Sequence, residues 1–170
     1  EPLLQRSSLT ILAQSAGPSL VDCTYNPADT SLVLALGLNN TAVDSSGNNN
    51  NGTLSGATYT GLAKYGAAAV TFDGVNDLVT IPDSNSLDLT TGMTLMAWVR
   101  PVAIGGWMDI VYKYNDAYYI EGSSSNANKA AAGSVSLGGP LYGTATLPLL
   151  TWSHIASTFN GSTFIFYVNG

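Results

Sequence analysis

Residues 69–81 read Ala-Val-Thr-Phe-Asp-Gly-Val-Asn-Asp-Leu-Val-Thr-Ile, and a stretch of this kind leaves little room for helix. Its β-branched and aromatic side chains lose rotamer freedom against a helical turn but fit a pleated surface. Two such runs flank Asp73-Gly74-Val75-Asn76-Asp77. The Asx side chains and permissive Gly74 backbone favour a chain reversal, so a strand, a tight turn and a second strand are expected.

The same grammar recurs along the chain. Met93-Thr-Leu-Met-Ala-Trp-Val-Arg100 alternates with period two. Met93, Leu95, Ala97 and Val99 share one face, and Thr94, Met96, Trp98 and Arg100 the other. Large apolar groups on both faces predict a central strand of a sandwich, with Trp98 in the core. Trp152 to Phe159 and Thr163 to Val168 form a hairpin pattern joined through Asn160-Gly161, a pair that favours positive φ in a type I′ turn. A second hairpin is expected around Asn115-Asp116, between residues 109–114 and 117–121. Leu32-Val-Leu-Ala-Leu-Gly-Leu38 reads as a strand covered on both faces. Residues 53–60 read as a further strand, 123–133 as a mobile loop of Ser, Asn and Ala, and 133–137 as one more strand. Residues 1–28 read as a leader or the tail of a preceding module, with a strand within residues 8–13. After Val168, Asn169-Gly170 is a turn without a following strand. That pattern predicts further strands beyond Gly170, or an open sheet edge ready for strand addition.

Composition limits the function classes. Five Lys plus Arg against eleven Asp plus Glu give a formal net charge of −6, a balance that disfavours nucleic acid and anionic lipid surfaces as partners. The longest apolar run, 32–38, is far short of the roughly 20 residues a membrane helix needs, so no membrane insertion is expected. The polar remainder is Ser, Thr, Asn and Gly rather than Lys and Glu, a profile typical of secreted or cell-surface β-proteins. Cys23 is the only cysteine and His154 the only histidine, which excludes an internal disulfide and a Cys/His zinc site. Asn-x-Ser/Thr triplets at Asn39, Asn51 and Asn160 agree with secretion.

Four segments, in order, carry a resemblance: Asp44-Ser-Ser-Gly-Asn-Asn-Asn-Asn-Gly-Thr53, Phe72-Asp-Gly-Val-Asn-Asp-Leu-Val79, Leu87-Asp-Leu-Thr-Thr-Gly-Met-Thr-Leu-Met-Ala-Trp-Val-Arg-Pro101 and Trp152-Ser-His-Ile-Ala-Ser-Thr-Phe-Asn-Gly-Ser162. Together they resemble the LamG-like jelly-roll family of the concanavalin A-like lectin/glucanase superfamily, over residues 29–170. The resemblance implies an all-β, concanavalin A-like jelly-roll sandwich of two antiparallel sheets, usually one module of a larger secreted or surface protein. It also implies carbohydrate or protein binding and, in many members, calcium. Members continue beyond the final Tyr-Val-Asn-Gly-like turn into further strands, so residues 29–170 read as a domain truncated at its C-terminus.

For calcium, the matching positions are Asp44, Asn48, Asp73 and Asp77; hard oxygen ligands on a bending chain suit that ion, and the same residues also serve as turn caps. For a sugar, an aromatic ring stacks on the apolar face of the ring while amides take the hydroxyls. Trp107, Tyr112, Tyr114 and Tyr118 cluster in one hairpin and its approach and are the candidates, with cross-strand packing as their alternative role. No catalytic residues are expected. Glu1 and Glu121 are the only glutamates, no Asp/Glu-x-Asp/Glu array exists, and His154 reads as structural. The expectation is a non-catalytic lectin-like module that binds a glycan, or an adhesion module that meets a surface protein or a second copy through the edge after Val168.

Overall fold

The computed structural model describes residues 9–12 and 31–170. Cys23, like most of the segment read as a leader, lies outside the described residues. The described chain is all-β: twelve strands, two single-turn 3-10 helices and no α-helix. In chain order the strands are β1 (Leu9–Leu12), β2 (Thr53–Ser55), β3 (Thr58–Thr60), β4 (Ala69–Thr71), β5 (Leu78–Thr80), β6 (Met93–Pro101), β7 (Met108–Lys113), β8 (Tyr118–Ser123), β9 (Ala131–Ser134), β10 (Gly138–Tyr142), β11 (Ser153–Phe159) and β12 (Phe164–Val168).

Six of them form an antiparallel sheet in the order β12-β11-β6-β1-β4-β3, and four form a second in the order β10-β9-β8-β7. The two sheets share one core. Val70, Ala97, Val99 and Ile155 from the first pack with Ile120 and Ala132 from the second, and Phe72 and Leu147 join them from connecting segments. A smaller cluster of Met93, Tyr118 and Phe159 closes one end. There the rings of Phe159 and Phe164 stack with centroids 4.6 Å apart.

The alternating strand at 93–100 is β6, and it is central as expected, flanked by β11 and β1. The strand read within residues 8–13 is β1, inserted between β6 and β4. Several expectations need correction. β4 and β5 do not pair with each other across residues 73–77. β4 belongs to the six-stranded sheet, whereas β5 pairs with β2 in a separate two-stranded ribbon. Asp77 Oδ2 accepts the Asp73 N–H at 2.7 Å, and Asp73 Oδ1 accepts that of Val75 at 2.8 Å. These side-chain bonds replace ladder pairing, so the turn passes the chain from sheet to ribbon. Residues 53–60 likewise split at Gly56 into β2 and β3, which join different sheets. A side chain at Gly56 would collide with the Asp77 carboxyl, and its φ of +76° favours glycine as well.

Residues 32–38 are not a strand; a single bridge, Leu36 to Asp44, is all the pairing they make. Their polar groups are met by side chains of the Asx-rich loop that follows. Asn48 and Asn50 donate to the carbonyls of Leu32 and Val33, and Asp44 Oδ1 accepts the Ala35 N–H. Residues 123–133 are not a loop throughout: β8 ends at Ser123 and β9 starts at Ala131, with Ala130, Ala131 and Ala132 fully buried. Short alanines permit close packing that polarity alone conceals. The β11–β12 connection is a four-residue loop instead of a two-residue type I′ turn, because Phe159 pairs with Phe164. Gly161 takes positive φ but Asn160 does not; the Asn160 carbonyl oxygen Oδ1 instead accepts the N–H groups of Ser162 and Thr163.

Candidate functional site

β7 is an edge strand of the four-stranded sheet and carries the predicted aromatic cluster. Tyr112 is exposed on it, Trp107 is exposed just before its start, and Tyr114 is 78 % exposed just after its end. Five residues separate Trp107 from Tyr112, which at the rise of an extended chain is roughly 16 Å. These rings therefore line an edge instead of converging. Tyr118 must be removed from the set. It is 6 % exposed, it packs with Met93 and Phe159, and its hydroxyl donates to the Leu87 carbonyl at 3.0 Å. Burial pushes its phenol above the usual tyrosine value.

The residues offered for calcium are placed in two turn networks. Asp44 is buried, and both its oxygens are taken: Oδ1 accepts the N–H groups of Ala35 and Ser46 at 2.9 Å each, and Oδ2 accepts the Ser46 hydroxyl at 2.7 Å and the Asn50 N–H at 3.0 Å. Burial raises the Asp44 pKa, but these four hydrogen bonds outweigh it and hold the carboxyl below the ordinary range. Asn48 donates from its amide to Leu32 and to Ser46 Oγ. Asp73 and Asp77 hold the β4–β5 turn as described above. Among the described residues no group of three or more His, Cys, Asp and Glu side chains is gathered to hold a metal ion. As arranged, the donor set of Asp44, Asn48, Asp73 and Asp77 fits a turn-holding network and not a cation cage.

One carboxyl pair escaped the sequence. Asp109 on β7 is the cross-strand partner of Glu121 on β8, at a register shift. Acidic spacing along one strand cannot reveal a pair made between strands. Glu121 is 6 % exposed, so its carboxyl does not stand open to a substrate.

The outer face of the six-stranded sheet holds a different assembly. Strand alternation turns Met96, Trp98 and Arg100 of β6 outward, opposite Leu95, Ala97 and Val99, which pack in the core. β6–β11 register puts His154 beside Trp98, with ring centroids 5.2 Å apart, and Ala156 beside Met96. On the far side of β11, Tyr167 extends the second of those rows. The 61–68 connection then brings Tyr65 nearly perpendicular to Trp98, centroids 5.8 Å apart and planes at 77°. Lys64 Nζ lies 4.6 Å from the Trp98 centroid, within cation–π range. Met96, Ile165, Tyr65 and Tyr167 are exposed, and Trp98 is half-buried. Trp98 is thus the floor of a surface cluster, not a core residue. Sequence alternation did place it on the face of Arg100; the cross-strand register that supplies His154, and the loop that supplies Lys64 and Tyr65, have no local signal.

Two antiparallel sheets packed around one core make this an all-β sandwich. A laminin G family model described as the Concanavalin A-like lectin/glucanases superfamily matches residues 73–170, and the chain belongs to that family. No curated protein and no solved structure matches the chain. Residues 44–53, the first of the four segments that carry the resemblance, lie ahead of the matched region.

Proposed function

We propose that this is a non-catalytic, extracellular carbohydrate-binding module that works through the outer face of its six-stranded sheet. The observation that carries the proposal is the cluster of Tyr65, Trp98 and His154, with centroid separations of 5.8 and 5.2 Å along the chain of contacts. Aromatic rings fixed in mutually tilted planes offer apolar faces to the C–H side of a pyranose. Thr94 and Thr158, cross-strand partners on the same face about 13 Å along β6 from Trp98, offer hydroxyls to a further sugar unit of a longer glycan. Superfamily membership supports binding of carbohydrate or protein, and no helix among the described residues is long and apolar enough to cross a membrane.

A glycan array probed with the wild type, Tyr65→Ala and Trp107→Ala tests the proposal. Binding that disappears with Tyr65→Ala supports the sheet face, and binding that disappears only with Trp107→Ala moves the site to the β7 edge. Silence across plant, microbial and host glycans refutes carbohydrate binding.

A second reading, adhesion through strand addition, is favoured by β12. Among the described residues it stands at the end of its sheet and pairs with β11 alone, and it consists of Phe-Ile-Phe-Tyr-Val without a charge. Such a strand offers unpaired backbone groups to another chain. Association that rises with concentration, and that Phe166→Pro in β12 abolishes, is its expected signature.

A further inference from the structure

We propose that Asn160, in the β11–β12 loop, is a modification site at which the folded chain promotes conversion of its own carboxamide to aspartate and isoaspartate. The sequence holds three Asn-Gly pairs, Asn51-Gly52, Asn160-Gly161 and Asn169-Gly170. In such a pair the glycine nitrogen can attack the side-chain carbonyl carbon Cγ of the asparagine before it, an intramolecular step that needs no bound co-reactant. A bond forms between that nitrogen and Cγ as the nitrogen gives up its proton to solvent. The Cγ–Nδ2 bond breaks, and ammonia leaves. The cyclic imide then takes up one water and opens at either carbonyl, which yields aspartate or the iso form with the main chain routed through the side chain. Asparagine and water thus become aspartate or isoaspartate and ammonia, without oxidant, metal or enzyme.

The three pairs are held differently. The Asn160 carboxamide oxygen Oδ1 accepts three donors: the N–H groups of Ser162 at 3.1 Å and Thr163 at 2.9 Å, and the Ser162 hydroxyl at 3.1 Å. Attack on Cγ turns that neutral acceptor into an oxyanion, and hydrogen bonds to an ionised acceptor are roughly twice as strong as neutral ones. Donors already aimed at the atom where charge develops therefore lower the barrier more than they stabilise the amide. Gly161 has no side chain to block the approach of its nitrogen. The fold requires glycine there, since φ is +95° and a Cβ would lie 3.0 Å from the Thr91 carbonyl oxygen. Asn160, Gly161 and Ser162 are exposed, so water reaches the imide. At Asn51-Gly52 the attacking nitrogen is engaged instead: the Gly52 N–H donates to the Ala42 carbonyl at 2.8 Å. Asn169 is pinned to β11 on both sides, its N–H donating to the His154 carbonyl at 2.8 Å and its Oδ1 accepting the His154 N–H at 2.9 Å. Conversion at Asn160 places a carboxylate in the loop between the paired Phe159 and Phe164, and isoaspartate adds a backbone carbon to it, so the change bears on the register of β12.

Incubation of the full chain in mildly alkaline buffer made with heavy-oxygen water, followed by peptide mapping in a mass spectrometer, reads the conversion of each asparagine separately. Isoaspartyl methyltransferase labelling counts the iso product. In the folded chain Asn160 should take up heavy oxygen about tenfold faster than Asn51 or Asn169, and in concentrated urea that preference should vanish. Ser162→Ala removes the hydroxyl donor and should slow Asn160 several-fold while Asn51 keeps its rate; Ser162→Thr, which retains a hydroxyl, should restore it. Equal rates at the three asparagines of the folded chain overturn the inference. So does a folded-state rate at Asn160 below its rate in urea, which would show that the loop protects the carboxamide. An unchanged Asn160 rate in Ser162→Ala overturns it as well.

Discussion

At the scale of single residues, Asp44 does the most for its neighbourhood. One carboxylate accepts from three backbone N–H groups and one hydroxyl, and thereby joins the 32–38 segment to the loop that follows. Hydrogen bonds to a charged acceptor are worth about 1.5–3 kcal/mol each in favourable cases, and orphaned buried donors add a further penalty. Asp44→Asn keeps the shape but replaces an accepting oxygen with a donating NH2, so a loss of about 2–3 kcal/mol is expected in a urea titration. The sign with pH follows from the lowered folded-state pKa. The stabilisation is fully present above the ordinary aspartate value of 3.8 and is lost as pH falls below it through the folded-state value. The wild type should therefore lose stability relative to Asp44→Asn as the solution is acidified through that window, and the two curves should converge. From the sequence, Asp44 was visible as an oxygen in a turn-rich loop. What its oxygens accept was not, since three of the partner groups are backbone N–H of residues 35, 46 and 50, chosen by how the loop folds back.

At the scale of elements, strand patterns were legible and their pairings less so. β6 reads correctly because a period-two alternation with apolar groups on both faces has few other homes. β11 and β12 read correctly as a hairpin, yet their connection is held by the Asn160 side chain and not by paired positive φ values. Asn160→Ala should then cost about 1 kcal/mol, measured as a drop in melting temperature, because two backbone N–H groups lose their acceptor. Asn160→Gly, which would suit a type I′ turn, should be no better than alanine. β9 was read two residues late, at 133–137 in place of Ala131–Ser134, because its Ala-Ala-Gly-Ser carries no β-branched or aromatic residue. Its position follows from contact: a Cβ on Gly133 would lie 2.8 Å from the Tyr119 hydroxyl and 2.7 Å separates the Cβ position of Gly139 from the Gly133 Cα. Small residues there are a packing requirement of neighbouring strands, which no local propensity encodes.

At the scale of the whole molecule, the charges are unevenly placed. The count of −6 argues against polyanions, while the six-stranded sheet, without a carboxylate in its strands, keeps Arg100 and the Lys64–Trp98 pair on its outer face. Metal ions belong to this scale also, since a ligand that binds only the native state raises its stability. With the oxygens of Asp44, Asp73 and Asp77 engaged in turns, addition of a chelator should leave the melting midpoint unchanged in scanning calorimetry. A downward shift of several degrees would show that a cation displaces those hydrogen bonds in solution.

By itself the sequence determined that the chain is built of strands, that its turns fall at Asx and Gly, and that residues 72–101 and 152–162 carry the marks of a concanavalin A-like sandwich. Those properties are local: rotamer crowding, side-chain alternation and the φ tolerance of glycine act within a few residues. Only the tertiary structure decided that β4 and β5 part into different sheets, that Tyr118 is core, and that Trp98 is joined on the surface by Tyr65, His154 and Lys64. Register across β6 and β11, and the path of the 61–68 connection, depend on burying one shared core from both sheets at once. That condition is set by residues from 38 to 155 together, so no window of the sequence contains it.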